Sequence, residues 1–405
     1  MLSAATSMVA PDVENESRDA ERDASARMRA LFVLATLGVG GSETKTVRIV
    51  NALAARGMPA GVAYLNPPED LRPALDPAAP VWRLDRRGKL SLNAVKSLRA
   101  LIREHKPDVV FAVNLYAALY VAMASVGLRD RPRTVGMINT SEFTSDRAWR
   151  ATFYRPVIGR LDRTVYGSES QRLHWLSLLK YPSERSMVLY NGVDARHFAP
   201  DSLDALRDAE RRRLGLPAEA FVVGTVGRFA PEKNQRVLID AIAALRDRGL
   251  DARLLLVGDG RIRAALESRA AELGVRDRVI FAGKSRDVRP ALSAMDAFVL
   301  PSTHVETFSN AALEAMAMSR AVILSNIGGA AEMVRNGVDG FTLEREELAT
   351  ELAPLLARLQ ASDDLRRRLG ESARARVLNK FSLDNMVQGY ATIIHDMQRA
   401  PDRRA

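Results

Sequence analysis

The sequence predicts an α/β fold built from two doubly wound, parallel-sheet domains. Three observations carry that prediction. At 405 residues the chain is too long for one ordinary core. From Met28 onward, short apolar runs alternate with helical patterns, as they do where helices cover both faces of a parallel sheet. The pattern then restarts once, after Asn191-Gly192-Val193-Asp194 and the charged stretch DSLDALRDAERRRLGLP. A composition 47% hydrophobic and 27% charged is that of a soluble globular chain.

Residues 1–27 are polar and charge-rich, without the basic start and apolar centre of a signal peptide, and read as a disordered leader or as an over-extension ahead of Met28. The first domain is expected over residues 28–199. In it RALFVLATLG, GVAYLN and DVVFAVN are strands, and ETKTVRIVNALAARG and SLNAVKSLRALIREHK are helices. Residues 200–375 form the second domain, with strands FVVGTV, ARLLLV, RVIFAG, AFVLPS and AVILSN separated by helices. Residues 376–405 hold a closing helix and a short tail. Ser382 is its expected N-cap, and Met386, Ile393, Ile394 and Met397 are its apolar face.

The absence of cysteine excludes disulfides and thiolate metal sites and makes a cytoplasmic address natural. No apolar run reaches the roughly 18 to 20 residues of a membrane-crossing helix. The net charge of +10 is uneven, with an excess of roughly eleven positive charges over residues 28–199. That asymmetry fits an anionic partner such as a membrane surface or an anionic acceptor; an arginine-rich coding bias explains it equally. Nucleic acid would rest on charge alone, since no aromatic and basic residues interleave. The helix KSLRALIREHK, residues 96–106, either docks on an anionic membrane or packs on its sheet through Leu98, Leu101 and Ile102.

Ligands of such sheets bind beyond the carboxyl ends of the strands, and four segments of the second domain carry unusual residues there. In VGRFAPEKN, Arg228 leaves a strand and Pro231 opens a helix, so Lys233 would sit in its first turn. A cation is unfavourable at that end of the dipole. A bound diphosphate held by Arg228 and Lys233 would account for it, as would two solvated surface cations. In PSTHVETFSNAALEAMA, Glu306 lies in a turn after a strand and Glu314 within the following helix. Carboxylates so placed can accept hydrogen bonds from sugar hydroxyls, while the turn amides hold phosphate oxygens. In LLLVGDG, Gly258 and Gly260 permit close approach of a base or ribose, and a plain tight turn explains them as well. In IGGAAEMVRNGVDGF, Gly328, Gly329, Gly337 and Gly340 shape a helix entry and exit.

Taken in this order over residues 28–399, these motifs resemble the retaining glycosyltransferases of family 4 (glycosyl transferases group 1). Their architecture is GT-B, two Rossmann-like domains around an interdomain cleft. The resemblance implies that Arg228 and Lys233 bind the donor's diphosphate and stabilise the leaving group, with Glu306 on the transferred sugar and Glu314 on the ribose. It places backbone amides near Phe308 and Ser309 on the phosphates and counts Gly227 among the donor-binding residues. It also places Gly258 and Lys284, of the segment AGKSRDV, beside the base. In the first domain GVGGSET matches the glycine-rich turn, putting Gly40 and Gly41 near the phosphates and Glu43 at the helix start. The closing helix resembles one that crosses back to the first domain.

Two departures matter. Where many relatives carry a first-domain histidine this chain has Asn139, and the earlier strand ends on Asn114. An amide is no general base, although Asn139 can hydrogen-bond a donor sugar. His304 lies two residues before Glu306 as a substitute or as an ordinary loop histidine, and ETFSN replaces the EGFG form. The expected activity is hexosyltransferase-type transfer (EC 2.4) from a nucleotide-diphosphate sugar to a glycan or lipid-linked acceptor in envelope or exopolysaccharide biosynthesis. The enzyme would use no metal and no cofactor, in the cytoplasm or at the inner membrane face. The alternatives are a nucleotide-sugar-binding GT-B protein with impaired catalysis, a phosphorylase, or a sugar-nucleotide epimerase.

Overall fold

The computed structural model describes residues 28–88, 90–139, 149–200, 203–304 and 306–399. The expected leader, the residues after 399 and Thr140 to Phe143 of MINTSEF lie outside the described residues. Seven strands form the first sheet: β1 (Ala30–Leu34), β2 (Ala60–Tyr64), β3 (Val81–Arg83), β4 (Val109–Val113), β5 (Arg133–Ile138), β6 (Arg163–Tyr166) and β7 (Ser186–Val188). Their order is β3-β2-β1-β4-β5-β6-β7, and β1 pairs in parallel with both β2 and β4. Six strands form the second: β8 (Phe221–Val226), β9 (Ala252–Val257), β10 (Val279–Gly283), β11 (Ala297–Leu300), β12 (Ala321–Ser325) and β13 (Phe341–Leu343). They run β10-β9-β8-β11-β12-β13, parallel at each pairing.

Unbroken apolar runs explain the central strands. ALFVL of β1 and VVFAV of β4 are buried throughout, as a strand covered on both faces must be, and Phe32 stacks on Phe111 at 4.7 Å. In sequence order the helices of the first series are α1 (Gly41–Ala54), α2 (Leu92–His105), α3 (Asn114–Ser125), α4 (Trp149–Ile158) and α5 (Glu169–Leu179). Those that follow are α6 (Leu203–Leu214), α7 (Arg236–Asp247), α8 (Arg263–Glu272), α9 (Arg289–Ala294), α10 (Asn310–Ala317), α11 (Ala330–Met333), α12 (Leu348–Gln360), α13 (Asp363–Lys380) and α14 (Leu383–Arg399). Ser91 caps α2 by accepting from the Ala94 amide, and Ala94, Leu98, Leu101 and Ile102 are its buried face. The apolar stripe of this helix is therefore occupied by packing. Its Arg99 donates to carbonyls of Ala124 and Gly127 at the end of α3.

The chain divides into two compact units, Met1–Gly136 with Ala391–Ala405, and Met137–Tyr390. In the first, Asp108 accepts from Arg29 at 3.2 Å and from the Gln398 amide of α14. In the second, Val193 bridges Ser382, its amide donating to Phe381 at 2.9 Å while its carbonyl accepts from Leu383 at 2.8 Å. A Cβ on Gly192 would strike the Ser382 carbonyl, so the restart segment needs glycine where the two strands of chain cross. Among the described residues no helix is long and apolar enough to cross a membrane.

Helix α1 buries Lys45 beside Thr46, Val47, Ile49 and Val50, and burial pushes its ammonium down to about 8. The folded chain thus holds fewer protons than the unfolded one between pH 8 and the unfolded value near 10.4, and stability rises with pH across that window. Lys45→Met, which removes the charge and keeps the volume, is expected to raise the unfolding free energy at pH 7 by on the order of 3 kcal/mol. The gain should shrink above pH 8 and vanish near 10.5. Thermal melts along that series check it, and a variant that melts lower at pH 7 contradicts it.

Candidate functional site

In the second sheet β8 and β11 are neighbours, yet their following helices leave in opposite directions along the strand order, so a crevice opens between their carboxyl ends. The turns that meet there hold Gly227–Lys233 on one side and Pro301–His304 with Glu306–Ser309 on the other. Thr303 ties them together by donating its amide to the Glu232 carbonyl at 2.9 Å. The first turn is also fastened to the neighbouring one after β9. Gly227 donates to the Val257 carbonyl and Phe229 to that of Asp259. Cβ atoms on Gly258 and Gly260 would strike the carbonyls of Gly227 and Phe229. The close approach these glycines permit is thus between two turns of the chain itself. Phe229 is fully buried against Phe281, and the Gln235 amide donates to the Arg228 carbonyl at 2.9 Å. With its neighbours anchored, Arg228 stands 73% exposed.

Each cation of the expected pair meets a carboxylate of the chain at the crevice. Lys233 is joined to Glu306 at 2.5 Å, both largely shielded from solvent, and the buried Ser302 hydroxyl donates to the same carboxylate oxygen at 3.1 Å. Arg228 pairs with Glu232 at 2.9 Å, and Arg261 reaches the other oxygen of Glu232 at 3.6 Å. The Glu232 carboxyl is held below its ordinary value by its own backbone amide, with Arg228 and Arg261 adding to the effect. Lys233 does not lie in the first turn of a long helix. Pro231–Lys233 is a three-residue 3₁₀ turn, ended by Asn234 in the left-handed region at φ 52°, and α7 begins afterwards. Pro231 opens a helix as expected, but a one-turn helix. Glu232 and Arg261 were not read from the sequence as site residues. The four-residue spacing from Arg228 to Glu232 was the available signal.

Beyond Glu306 the chain enters α10, where Ser309 accepts from the Ala312 amide and so caps the helix. Phe308 is buried between Tyr190 and Phe381, each ring centre 5.1 Å away, and its carbonyl accepts from the Asn191 amide at 2.8 Å. Glu314 lies half-buried on α10, whose Ala312, Leu313, Ala315 and Met316 face the core. Gly328 takes φ 57°, and a Cβ there would strike the Glu306 carbonyl, while Gly329 donates to the Thr307 carbonyl at 2.8 Å. Lys284 is exposed after Gly283, whose carbonyl accepts from Gly258. His304 is an exposed loop residue bonded to the Thr303 hydroxyl at 2.9 Å.

At the corresponding switch between β1 and β4, Gly40 precedes α1. The place of its Cβ is filled by the Glu43 carboxylate, whose pKa burial raises. Gly41 faces open space, and Asn114 at the start of α3 donates to the Ser42 hydroxyl at 3.3 Å. Asn139 sits half-buried at the end of β5.

Comparison with known proteins matches residues 39–197 to the family described as Glycosyltransferase Family 4 and residues 207–376 to Glycosyl transferases group 1. The lipopolysaccharide core biosynthesis glycosyltransferase LpsE of Rhizobium meliloti is 29% identical over 88% of this chain and 96% of its own. The D-inositol 3-phosphate glycosyltransferase of Salinispora arenicola is 36% identical over 58% of this chain and 54% of its own. Among solved structures, Anabaena HepE in complex with UDP superposes with a TM-score of 0.80 at 24% identity, over 91% of this chain and all of that one. The same protein in complex with UDP-glucose gives 0.78. These likenesses establish the GT-B fold for the two parallel sheets.

The glycine turn yields a test. Gly328→Ala adds a Cβ against the Glu306 carbonyl as well as left-handed strain. Gly337→Ala, at φ 77° with nothing within 4 Å, adds strain alone. Each left-handed alanine costs on the order of 1 kcal/mol or more, and Gly328→Ala is expected to lower the thermal midpoint further than the control. Equal losses would show that the Glu306 turn does not need the space.

Proposed function

This chain is a glycosyltransferase of the GT-B fold, with a Glycosyltransferase Family 4 domain ahead of a glycosyl transferases group 1 domain, and from that we propose a retaining hexosyltransferase that uses a nucleotide-diphosphate sugar. The observation that carries the reading is the Lys233–Glu306 pair, set at the crevice between β8 and β11 with Arg228 beside it. A sugar diphosphate presents the two things this pair complements, an anion beside a polyol. Lys233 and Arg228 would receive the charge that develops on the departing diphosphate, and fixed cations do so without reorganisation in the transition state. The α10 N-terminus, with amides at Phe308 and Ser309, would take phosphate oxygens, joined by Gly227. Glu306 would accept from the transferred sugar, Glu314 from the ribose, and Asn139 would hydrogen-bond the sugar. Gly258 and Lys284 would border the base. With both cations supplied by the chain, this reading assigns no metal and no cofactor.

HepE is solved with UDP and with UDP-glucose, which supports a uridine-type donor for this site. The relatives from Rhizobium meliloti are named for lipopolysaccharide core biosynthesis, which supports an envelope glycan or a lipid-linked acceptor. The basic excess of residues 28–199 suits an anionic acceptor or peripheral attachment at the inner membrane face. One observation favours a second reading: Asn139 stands where a histidine is expected, as it would in a protein that binds the donor without transferring it.

Turnover of a UDP- and GDP-sugar panel, followed by release of nucleoside diphosphate with candidate acceptors present, separates the two. Lys233→Ala is expected to lower kcat by about 10²- to 10³-fold with the fold retained. Undiminished turnover would remove the leaving-group role, and tight binding without turnover in the parent chain would favour the second reading. Glu314→Ala is expected to weaken nucleoside-diphosphate affinity about tenfold in calorimetry, the loss of one hydrogen bond to a charged group. Unaltered affinity would count against its ribose contact.

A further inference from the structure

Helix α11 is only four residues long, too short to be stable alone, yet it follows the two glycines on which the Glu306 turn rests. It is held through Glu332. The Glu169 amide donates to Glu332 Oε2 at 2.7 Å, the Ser170 amide to Oε1 at 2.9 Å, and the Tyr190 hydroxyl to Oε2 at 3.0 Å. Glu332 thereby completes the N-terminus of α5. The Gln171 amide is taken by the Ser168 hydroxyl at 3.1 Å and the Arg172 amide by the Ser168 carbonyl at 3.0 Å, so all four first-turn amides have acceptors. A carboxylate is the group that helix end favours. From the other side the Arg376 guanidinium donates to the Glu332 and Met333 carbonyls, both at 2.8 Å.

We propose that Glu332 is a positioning residue for sugar transfer, which through the α5 amides and Tyr190 sets where the Glu306 carboxylate stands. The inference rests on the donor site proposed above. On its far side from Lys233, the turn is fastened through residues that Glu332 gathers. Gly328 lies against the Glu306 carbonyl and Gly329 donates to the Thr307 carbonyl, four and three residues ahead of Glu332. Tyr190 lays its ring on Phe308, and the adjoining Asn191 bonds the Phe308 carbonyl. The network continues toward Asn139. Gln171 of α5 accepts from the Gly167 amide at 2.7 Å and donates to the Ile138 carbonyl at 2.9 Å, one residue before Asn139. Two groups assigned to the transferred sugar, Glu306 and Asn139, are thus carried on one hydrogen-bonded frame. Burial, with the Glu332 charge adding, pushes the Tyr190 hydroxyl up to about 12, so it remains a donor at any working pH.

The test uses the full chain and two substitutions. Tyr190→Phe keeps the ring on Phe308 and removes one hydrogen bond; Glu332→Gln keeps the shape and replaces one acceptor with a donor facing an amide. Misplacement of a reacting group by a fraction of an ångström is expected to lower kcat about tenfold or more in Glu332→Gln and several-fold in Tyr190→Phe. Calorimetric affinity for UDP or GDP should fall much less than kcat, because Lys233, Arg228 and Glu314, which carry most of the assigned nucleotide contact, stand on the turn after β8 and on α10 rather than on α5 or α11. The double variant should lose no more than Glu332→Gln alone, since the tyrosine acts through the carboxylate. Unchanged kcat in Tyr190→Phe beside a strongly impaired Lys233→Ala overturns the inference while leaving the donor site standing. So does a fall in kcat that tracks nucleotide affinity or the thermal midpoint. Full activity of Lys233→Ala overturns the donor site and the inference together. If Glu332→Gln fails to fold, Tyr190→Phe decides alone.

Discussion

The ion pair between Lys233 and Glu306 is the interaction around which the rest of the second sheet's crevice is arranged. It joins turns 73 residues apart in sequence, and its side chains are only 22% and 16% exposed. Charges so shielded are costly if they drift apart, because each would be left without a partner and with little water. The surrounding structure prevents that drift by fixing backbone and leaving the charged ends to find each other. Phe229 and Phe308 are sunk in the core on either side, and the turns between them touch the neighbouring chain through glycines that leave no room for movement. Rigid loops holding a shielded pair are also what a charged, hydroxyl-rich ligand requires, since it can exchange its own groups for those of the pair without deforming the site.

Much of this was legible in the sequence because it is written locally. Apolar runs such as VVFAV and ARLLLV mark buried parallel strands, and a strand that ends in Gly-Arg or Gly-Asp-Gly announces a turn at the ligand-binding edge. What was not legible is who pairs with whom. The partner of Arg228 is local, Glu232 four residues on, but that of Lys233 is not, since strand order brings Glu306 to it from 73 residues away. Likewise Gly258 and Gly260 signal close approach without saying to what, and the answer is the chain's own carbonyls. Glu332 was visible as one member of a glycine-rich segment. Its contact with Glu169 spans 163 residues, a distance over which no periodicity informs.

The basic excess of residues 28–199 also changes meaning once side chains are placed. Arg99 closes the end of α3 by bonding its carbonyls, Arg185 serves the carbonyls of Gly159 and Asp162, and Arg172 forms a two-pronged bridge to Glu169. Each of these guanidiniums satisfies backbone or carboxylate groups of the same chain. Bonds to neutral carbonyls leave the positive charge in place, so the excess persists while the guanidiniums that carry it are held in fixed positions.

The capping of α5 by Glu332 has a consequence for how the molecule comes into being. During synthesis α5 is complete while its carboxylate partner is still 163 residues away, and the amides of Glu169 and Ser170 must wait for it with water as their acceptor. A contact of such sequence separation forms only after the intervening sheet has ordered the chain, because the loop it closes is long. The first series of strands and helices can thus assemble early, with one helix end unfinished. The frame that carries the sugar-facing groups closes late, when nearly the whole chain has been made.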